Sequence, residues 1–313
     1  MIPRYLRVSV TGRCNLRCVY CGPRGPCEPG MPAEFTPRQI AHLVRCSAAE
    51  GVRKVRLTGG EPLLRDDLED IVACVSGIPG IAETALTSNG VGLARRASAL
   101  KEAGLDRINI SLDTLRPDRF IALTGFDLHE EVLAGIQAAS RAFGAVKLNV
   151  VLVRGVNDDE VEAMVLFAAE RGLHVRFIES YLSQGAPLRN APVHAGEIRD
   201  GLRALFGPLR PLPAEALSVE ETYVLPSAGG VRVGIIASAS GAGCPKCSKL
   251  RFTAAGQLRP CLFAAWGVDV AAALRCGDTR SVREAIRRVA ARKRLYRCAA
   301  LPITPDPVRY IGG

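Results

Sequence analysis

The sequence lacks the features that would place a protein in a membrane or outside the cell. No apolar run approaches the roughly 18 residues that a bilayer-spanning helix needs. The opening segment, MIPRYLRVSVTGRCN, has no hydrophobic stretch typical of a signal peptide. We therefore expect a cytoplasmic protein without membrane contact. Charged residues make up 23% of the 313 residues, near the average of folded proteins, which excludes wholesale disorder.

Aromatic residues and histidines are also scarce. Aromatics make up only 5% of the chain, which argues against the stacking surfaces of single-strand binders, so we expect no nucleic-acid partner. The four histidines form no spaced cluster. The net charge of +10 nevertheless favours an anionic ligand, and a small polyphosphate fits it at least as well as a polymer does.

Cysteine, in contrast, is abundant. Eleven cysteines in a reducing cytoplasm indicate metal or redox chemistry rather than disulfides. Cys14, Cys18 and Cys21 follow the first predicted strand on one loop, a spacing suited to an iron-sulfur cluster in which one iron has no protein ligand. Cys27 could be a fourth ligand, but the Gly- and Pro-rich segment before it makes its direction unpredictable, so a structural role is the favoured alternative.

A second cysteine set lies near the other end of the chain, at Cys244, Cys247 and Cys261. Its spacing is also compatible with a zinc ribbon that lacks one ligand, which Cys276 or Cys298 could complete. The spacing alone therefore leaves iron and zinc open for this set.

Apolar patterning predicts an α/β fold of strand and helix units. The predicted strands are residues 5–10, 54–57, 84–87, 107–111, 147–152 and 174–178, and the predicted helices are residues 37–50, 66–75, 94–103, 129–143 and 158–171. Such alternation is typical of a parallel sheet or barrel, whose chemistry sits at the carboxyl ends of the strands.

The pattern changes after residue 181, so we predict two regions, 1–181 and 182–313. The second region is richer in Gly, Pro and Ala, with short strands predicted at residues 221–225 and 231–236. A basic helix over residues 281–292 precedes a Pro-punctuated tail that ends in Gly312 and Gly313.

The run CNLRCVYC at residues 14–21 resembles the signature of radical S-adenosylmethionine enzymes. Further motifs follow in order and resemble the GTP 3′,8-cyclase family of molybdenum cofactor biosynthesis: LTGGEPLLR, LTSNG, INISLDTL, VKLNVV, GVNDDE, RFIE, the CxxC-x-KLRFT segment and the terminal YIGG. The resemblance implies a partial (β/α)6 TIM-type barrel, with a C-terminal extension that carries a second 4Fe-4S cluster on Cys244, Cys247 and Cys261.

The resemblance also implies which residues bind each small molecule. The first cluster, on Cys14, Cys18 and Cys21, would bind and cleave S-adenosylmethionine. Positions that match its binding site are Tyr20, Gly59, Gly60, Glu61, Pro62, Asn89, Ser111 and Tyr181. Positions that match or enlarge the GTP site are Arg7, Lys54, Arg56, Thr87, Lys147, Arg176, Lys249 and Arg251. Gly312 and Gly313 resemble a tail that reaches into the active site and is needed for activity.

The implied reaction converts GTP into 3′,8-cyclo-7,8-dihydro-GTP through hydrogen abstraction at C3′ of the ribose. The resemblance implies a reductant such as flavodoxin or ferredoxin and a downstream cyclic pyranopterin monophosphate synthase. A homodimer is an expectation from the resemblance alone. Three positions depart from the family pattern: Gly22, Tyr181 and Lys249. They keep open a paralogue with two clusters that acts on another nucleotide or nucleoside. A peptide-modifying radical enzyme and a non-catalytic metal or nucleic-acid binding protein are further alternatives.

Overall fold

A computed structural model describes residues 4–21, 33–180, 192–213, 219–237 and 247–293. Six parallel strands form its centre and confirm the six predicted ones. They are β1 (Tyr5–Ser9), β2 (Lys54–Thr58), β3 (Glu83–Ser88), β4 (Arg107–Ser111), β5 (Val146–Leu152) and β6 (His174–Glu179). This is the expected partial barrel.

The later strands continue this sheet at both of its edges. They are β7 (Arg210–Pro211), β8 (Glu220–Leu225), β9 (Val231–Ile236), β10 (Lys249–Phe252), β11 (Gln257–Arg259) and β12 (Val268–Asp269). Strand β10 pairs in parallel with β1, and β9 pairs in parallel with β6. The resulting order is β12-β11-β10-β1-β2-β3-β4-β5-β6-β9-β8-β7. The C-terminal extension therefore shares one sheet with the barrel.

Nine helices lie in the described part of the chain: α1 (Pro37–Ala49), α2 (Leu68–Ser76), α3 (Ala97–Glu102), α4 (Pro117–Thr124), α5 (His129–Phe143), α6 (Val161–Glu170), α7 (Ala195–Phe206), α8 (Ala271–Cys276) and α9 (Thr279–Lys293). None of them is long and apolar enough to span a bilayer. Helix α1 begins at a capping box, in which Thr36 and Gln39 satisfy each other's backbone amides.

Alternation along the strands places apolar side chains on the helix-facing side. In β1, Leu6 and Val8 are fully buried in the main hydrophobic cluster, whereas Tyr5 and Arg7 point into the barrel. Strand β6 repeats this pattern, with Val175 and Phe177 outside and Arg176 inside. A barrel interior lined by cations cannot pack on itself, so it remains open as a cavity.

Candidate active site

One cavity of about 850 Å³ occupies the barrel interior. Its walls contain both cysteine sets, as far as the structure describes them: Cys14, Cys18, Cys21, Cys247 and Cys261. They also contain all eight residues predicted to bind GTP, together with Tyr20, Gly59, Gly60, Glu61, Asn89 and Ser111. Pro62 is buried in the turn next to this wall and does not line the cavity. Cys244, Tyr181, Gly312 and Gly313 lie outside the described residues.

The glycine pair packs against the segment that leads into the cysteine loop. A Cβ atom at Gly59 would lie 2.5 Å from the carbonyl oxygen of Thr11, and one at Gly60 would lie 2.0 Å from that of Arg13. The amide of Gly60 donates to the same Thr11 oxygen at 2.8 Å, and the amide of Glu61 donates to Arg13 O at 2.7 Å. The two glycines thus let two backbone segments meet, and both also line the cavity.

Glu61 is buried and accepts three hydrogen bonds. They come from Ser88 Oγ at 2.9 Å, from the amide of Asn89 at 2.6 Å and from the amide of Leu63 at 2.9 Å. Burial raises the pKa of Glu61 to about 7, although these donors act in the opposite direction. Because the pKa of Glu61 lies near neutral pH, a cationic group beside it would favour the ionised carboxylate.

Asn89 connects this carboxyl to the cysteine loop. Its amide nitrogen Nδ2 donates to Asn15 Oδ1 at 2.7 Å, directly after the first cysteine. The loop is therefore fixed by the side chain of Asn89, directly after β3, as well as by the backbone of the glycine turn.

Sequence analysis missed Asp113, which anchors Tyr20. The hydroxyl of Tyr20 donates to one carboxylate oxygen of Asp113, and the amide of Val151 donates to the other at 2.8 Å. Asn157 Nδ2 donates to the carbonyl of Asp113 at 2.7 Å and so fixes its backbone. Burial raises the pKa of Asp113 to about 6. Asp113 lies in the INISLDTL motif, but the motif alone assigns it no partner, so only the fold identifies its role.

The first three cysteines fit an iron-sulfur cluster by their chemistry. Burial raises the pKa of Cys18, and the nearby Cys21, Asp113 and Cys14 raise it further. A raised pKa means that the thiolate form is unfavourable without a nearby positive charge. The iron ions of a cluster would supply that charge to the three thiolates on this wall. In the described ranges no three His, Cys, Asp or Glu side chains converge to hold one metal ion. Cluster ligands differ in this respect, because each binds a separate iron.

Five cations from three neighbouring strands form what we call the cation cluster: Arg7 of β1, Lys54 and Arg56 of β2, and Lys249 and Arg251 of β10. The strand register places Arg7 between Arg56 and Arg251. Arg56 donates to Leu86 O at 3.1 Å and to Thr87 Oγ1 at 3.2 Å, and Lys54 forms an ion pair with Glu83 at 2.6 Å. Burial lowers the pKa of Lys249 to about 8.

Glu220 of β8, another residue missed from the sequence, joins the cations on the opposite side of the cavity. Its carboxylate lies 3.8 Å from Lys147 Nζ, 3.5 Å from Arg176 Nη1 and 2.8 Å from His174 Nε2. Burial alone would raise the pKa of Glu220, but the His174 hydrogen bond and the neighbouring cations lower it to about 2. The buried Nε of Arg176 has no hydrogen-bond acceptor within the part of the chain that the structure describes.

The second cysteine set is only partly within the described residues. Burial raises the pKa of Cys247, but the charges of Lys293 and Lys249 outweigh it and lower the pKa below its ordinary value. Lys293 Nζ lies 3.6 Å from Cys247 Sγ and donates to Pro260 O at 2.7 Å, next to Cys261. A thiolate with cationic neighbours suits metal ligation. Cys276 is exposed on α8 and does not line the cavity, and Cys27 and Cys298 lie outside the described residues.

Comparison with solved structures supports the same fold. Streptococcus suis SuiB bound to S-adenosylmethionine has a TM-score of 0.66 at 15% identity, with coverage of 87% of this chain and 64% of that chain. The protein anSMEcpe with bound AdoMet has a TM-score of 0.59 at 15% identity, with coverage of 91% and 83%. At these identities the likeness concerns the fold alone.

Comparison of sequences is more specific. A profile of the Radical SAM superfamily matches residues 8–168, and one described as Molybdenum Cofactor Synthesis C matches residues 173–297. The chain is 46% identical to GTP 3′,8-cyclase of Pelotomaculum thermopropionicum over 297 residues, which cover 92% of this chain and 90% of the relative. It is 44% identical to GTP 3′,8-cyclase of Streptomyces coelicolor over 279 residues, which cover 86% and 81%. The chain therefore belongs to the radical SAM superfamily and, within it, to the GTP 3′,8-cyclase family.

Proposed function

We propose that this chain is a GTP 3′,8-cyclase that converts GTP into 3′,8-cyclo-7,8-dihydro-GTP, the first step of molybdenum cofactor biosynthesis. The observation that carries the proposal is a single cavity shared by two cysteine sets and a group of buried cations. A mononucleotide with three phosphates fits such a cavity, because a polyanion balances cations that would otherwise be costly to bury.

The cofactors are two 4Fe-4S clusters and S-adenosylmethionine. We propose Cys14, Cys18 and Cys21 as ligands of the first cluster and Cys244, Cys247 and Cys261 as ligands of the second. Held by Cys14, Cys18 and Cys21, the first cluster would supply the electron for reductive cleavage of S-adenosylmethionine, and the radical chemistry so provided would act at C3′ of GTP.

The residues of the chain then have binding and positioning tasks. Glu61 is placed to accept hydrogen bonds from the ammonium of S-adenosylmethionine, and its buried site makes the resulting charge pair strong. Tyr20, fixed by Asp113, and Ser111 line the same wall. The cation cluster, with Lys147 and Arg176, would hold the triphosphate, so that the ribose is oriented toward the radical.

The two predicted regions divide these tasks. We propose that residues 1–181 carry the first cluster and the S-adenosylmethionine site, whereas residues 182–313 carry the second cluster and the Gly312-Gly313 tail. Lys249 and Arg251 then belong to the second region although they complete the cation cluster of the first. Substrate binding in this proposal depends on both regions.

We also propose partners and a location. A flavodoxin or ferredoxin would deliver the electron, a cyclic pyranopterin monophosphate synthase would take the product, and the chain would act as a homodimer. A reducing cytoplasm suits free thiols, and the eight cysteines within the described ranges form no disulfide. Anaerobic size-exclusion chromatography tests the dimer, and reduction by each electron donor tests the redox partner.

The test of the activity is an anaerobic assay with S-adenosylmethionine, dithionite and GTP that carries deuterium at C3′. We expect deuterium in the released 5′-deoxyadenosine and a cyclised isomer of the nucleotide, both seen by mass spectrometry. Cys14→Ala should abolish both products. Cys74→Ala is the matched control, because Cys74 is exposed on α2 and should retain full activity.

Other nucleoside triphosphates in the same assay test the alternative. If another nucleotide, and not GTP, releases 5′-deoxyadenosine, the chain is a paralogue and the cyclase proposal is wrong. Lys249 is then the first residue to exchange for arginine, because an ammonium cannot provide the paired donors of a guanidinium.

A further inference from the structure

Tyr5 occupies the centre of the cation cluster. The register of the three parallel strands places it opposite Lys54 on one side and opposite Lys249 on the other. Arg7 follows two residues later on the same face of β1 and lines the same cavity. Across these three strands, Tyr5 thus has a cationic neighbour on each side.

The contacts of Tyr5 involve the charged ends of its neighbours. Arg56 Nε donates to the Tyr5 hydroxyl at 2.6 Å. The Nζ atoms of Lys54 and Lys249 lie 5.4 Å and 5.8 Å from the centre of its ring. The side chain is 6% exposed, so water screens these interactions weakly. Tyr5 therefore restrains three of the five cations in the cluster.

These charges also act on the phenol itself. Burial raises the pKa of Tyr5, but the cations outweigh it and lower the pKa to about 7. The charged groups that face Tyr5 come from β1, β2, β6 and β10: Arg7, Lys54, Arg56, Arg176 and Lys249, with Glu83 paired to Lys54. A phenolate here would stabilise the cluster while no polyanion is bound.

We propose that Tyr5 is a positioning residue of the triphosphate site, which holds Arg56 toward the cavity and takes up a proton when a polyphosphate binds. The inference rests on the proposed function. The bound phosphates replace the phenolate as counter-charge of the cations, so the oxygen becomes protonated and continues to accept the Arg56 hydrogen bond. No covalent bond forms or breaks apart from the O–H bond of Tyr5, whose proton comes from solvent.

The direction of the pH dependence follows from this exchange. Binding takes up a proton wherever the phenol is ionised in the free protein and neutral in the complex, which begins above about pH 7. Polyphosphate affinity should therefore fall as pH rises, by up to about tenfold per pH unit for one linked proton. Without the phenol, this part of the pH dependence disappears.

The experiment is calorimetric titration of the reconstituted holoenzyme with inorganic tripolyphosphate. Titrations at about pH 8 in two buffers of different ionisation enthalpy count the protons taken up. We expect the wild type to take up close to one proton more than Tyr5→Phe, and we expect a flatter affinity profile for the variant. Tyr223→Phe is the matched control, because its hydroxyl also accepts from an arginine, Arg199, at 3.2 Å but lies outside the cavity.

Equal proton uptake and equal pH profiles in wild type and Tyr5→Phe would overturn the inference. If Tyr5→Phe does not fold, Lys249→Arg decides, because Lys249 is the other group of the cluster whose pKa lies near 8. Proton uptake by Lys249→Arg supports the exchange, and its absence is incompatible with it. The assay with GTP separates this result from the proposed function. Tyr5-dependent uptake with tripolyphosphate and no cyclised product would refute only the cyclase, and the reverse result would refute only the role of Tyr5.

Discussion

Two buried carboxyl groups fix the cysteine loop from opposite sides. Glu61 accepts from the amide of Asn89, the residue after β3, whose side chain bonds to Asn15. Asp113 accepts from the hydroxyl of Tyr20. Each has a pKa above the ordinary range of its type because it is buried. The pKa of such a carboxyl is higher in the folded chain than in the unfolded chain, so the free energy of unfolding depends on pH.

We predict that the folded protein becomes less stable as pH rises from about 5 to about 7. In this window the unfolded chain has lost the proton of Glu61, whereas the folded chain retains it up to a pKa of about 7. The contribution of Glu61 to the free energy of unfolding should fall by roughly 3 kcal/mol and then stay constant. Anaerobic thermal melts of wild type and Glu61→Gln measure it. A pH dependence that is the same in both proteins would contradict the prediction.

A second prediction concerns Glu220, which shares the cations of the substrate site. Glu220→Gln removes one negative charge next to Lys147 and Arg176, so GTP should bind about tenfold more tightly. Equilibrium dialysis of GTP checks this. Glu221→Gln is the control, because Glu221 pairs with Arg199 outside the cavity and should leave affinity unchanged. Weaker binding by Glu220→Gln would show that its carboxylate itself contacts the substrate.

Much of the residue-level site was predictable because it is encoded in local motifs. Cysteine spacing and the polar residues within strands pointed to residues that do line the cavity. Asp113, Glu220 and Tyr5 were missed because their importance comes from neighbours distant in sequence. Glu220 of β8 contacts His174 of β6. The absence of a side chain at Gly234 leaves room for the Glu220 carboxylate, because a Cβ there would lie 2.3 Å from Glu220 Oε1.

At the scale of elements, the turn at Gly59 and Gly60 after β2 connects the barrel to the cysteine loop through backbone hydrogen bonds. We predict that Gly60→Ala prevents assembly of the first cluster, because the new Cβ would overlap the Arg13 carbonyl. Iron content after reconstitution should fall by about half, since the second set of cysteines is untouched, and cleavage of S-adenosylmethionine should be lost. Gly201→Ala on α7 is the control, because no atom lies within 4 Å of its added Cβ. Full iron content in Gly60→Ala would refute this role of the turn.

Helices were predicted correctly where the apolar repeat extends over many residues and were missed where it extends over few. Helix α5 was predicted with its observed bounds, and all six barrel strands were found. Helix α4 was missed because its eight residues give only two turns. Helix α7 was missed because Gly196 and Gly201 lower helix propensity, although Leu202 and Ile198 are buried. Helix α6 begins at Val161, three residues after the predicted start.

For the whole molecule, the continuous sheet predicts that the two regions do not fold separately. A chain that ends at Ser180 would expose the edges of β1 and β6, which β10 and β9 normally cover. We expect this fragment to aggregate, and we expect the full chain to unfold in one cooperative transition in urea. Circular dichroism and light scattering measure both. A monomeric fragment with its own cooperative transition would contradict the prediction.

Pairing of β1 with β10 joins the first strand to one made near the end of synthesis. The cysteine loop leaves the ribosome early, while Lys249 and Arg251 emerge only after most of the chain. Contacts so far apart in sequence form slowly, because closing the intervening chain costs entropy before it gains any contact. A nascent chain therefore exposes its first cysteine loop well before the strand that completes the cation cluster is available. The order of synthesis thus delays formation of the complete cavity until the C-terminal strands have joined the sheet.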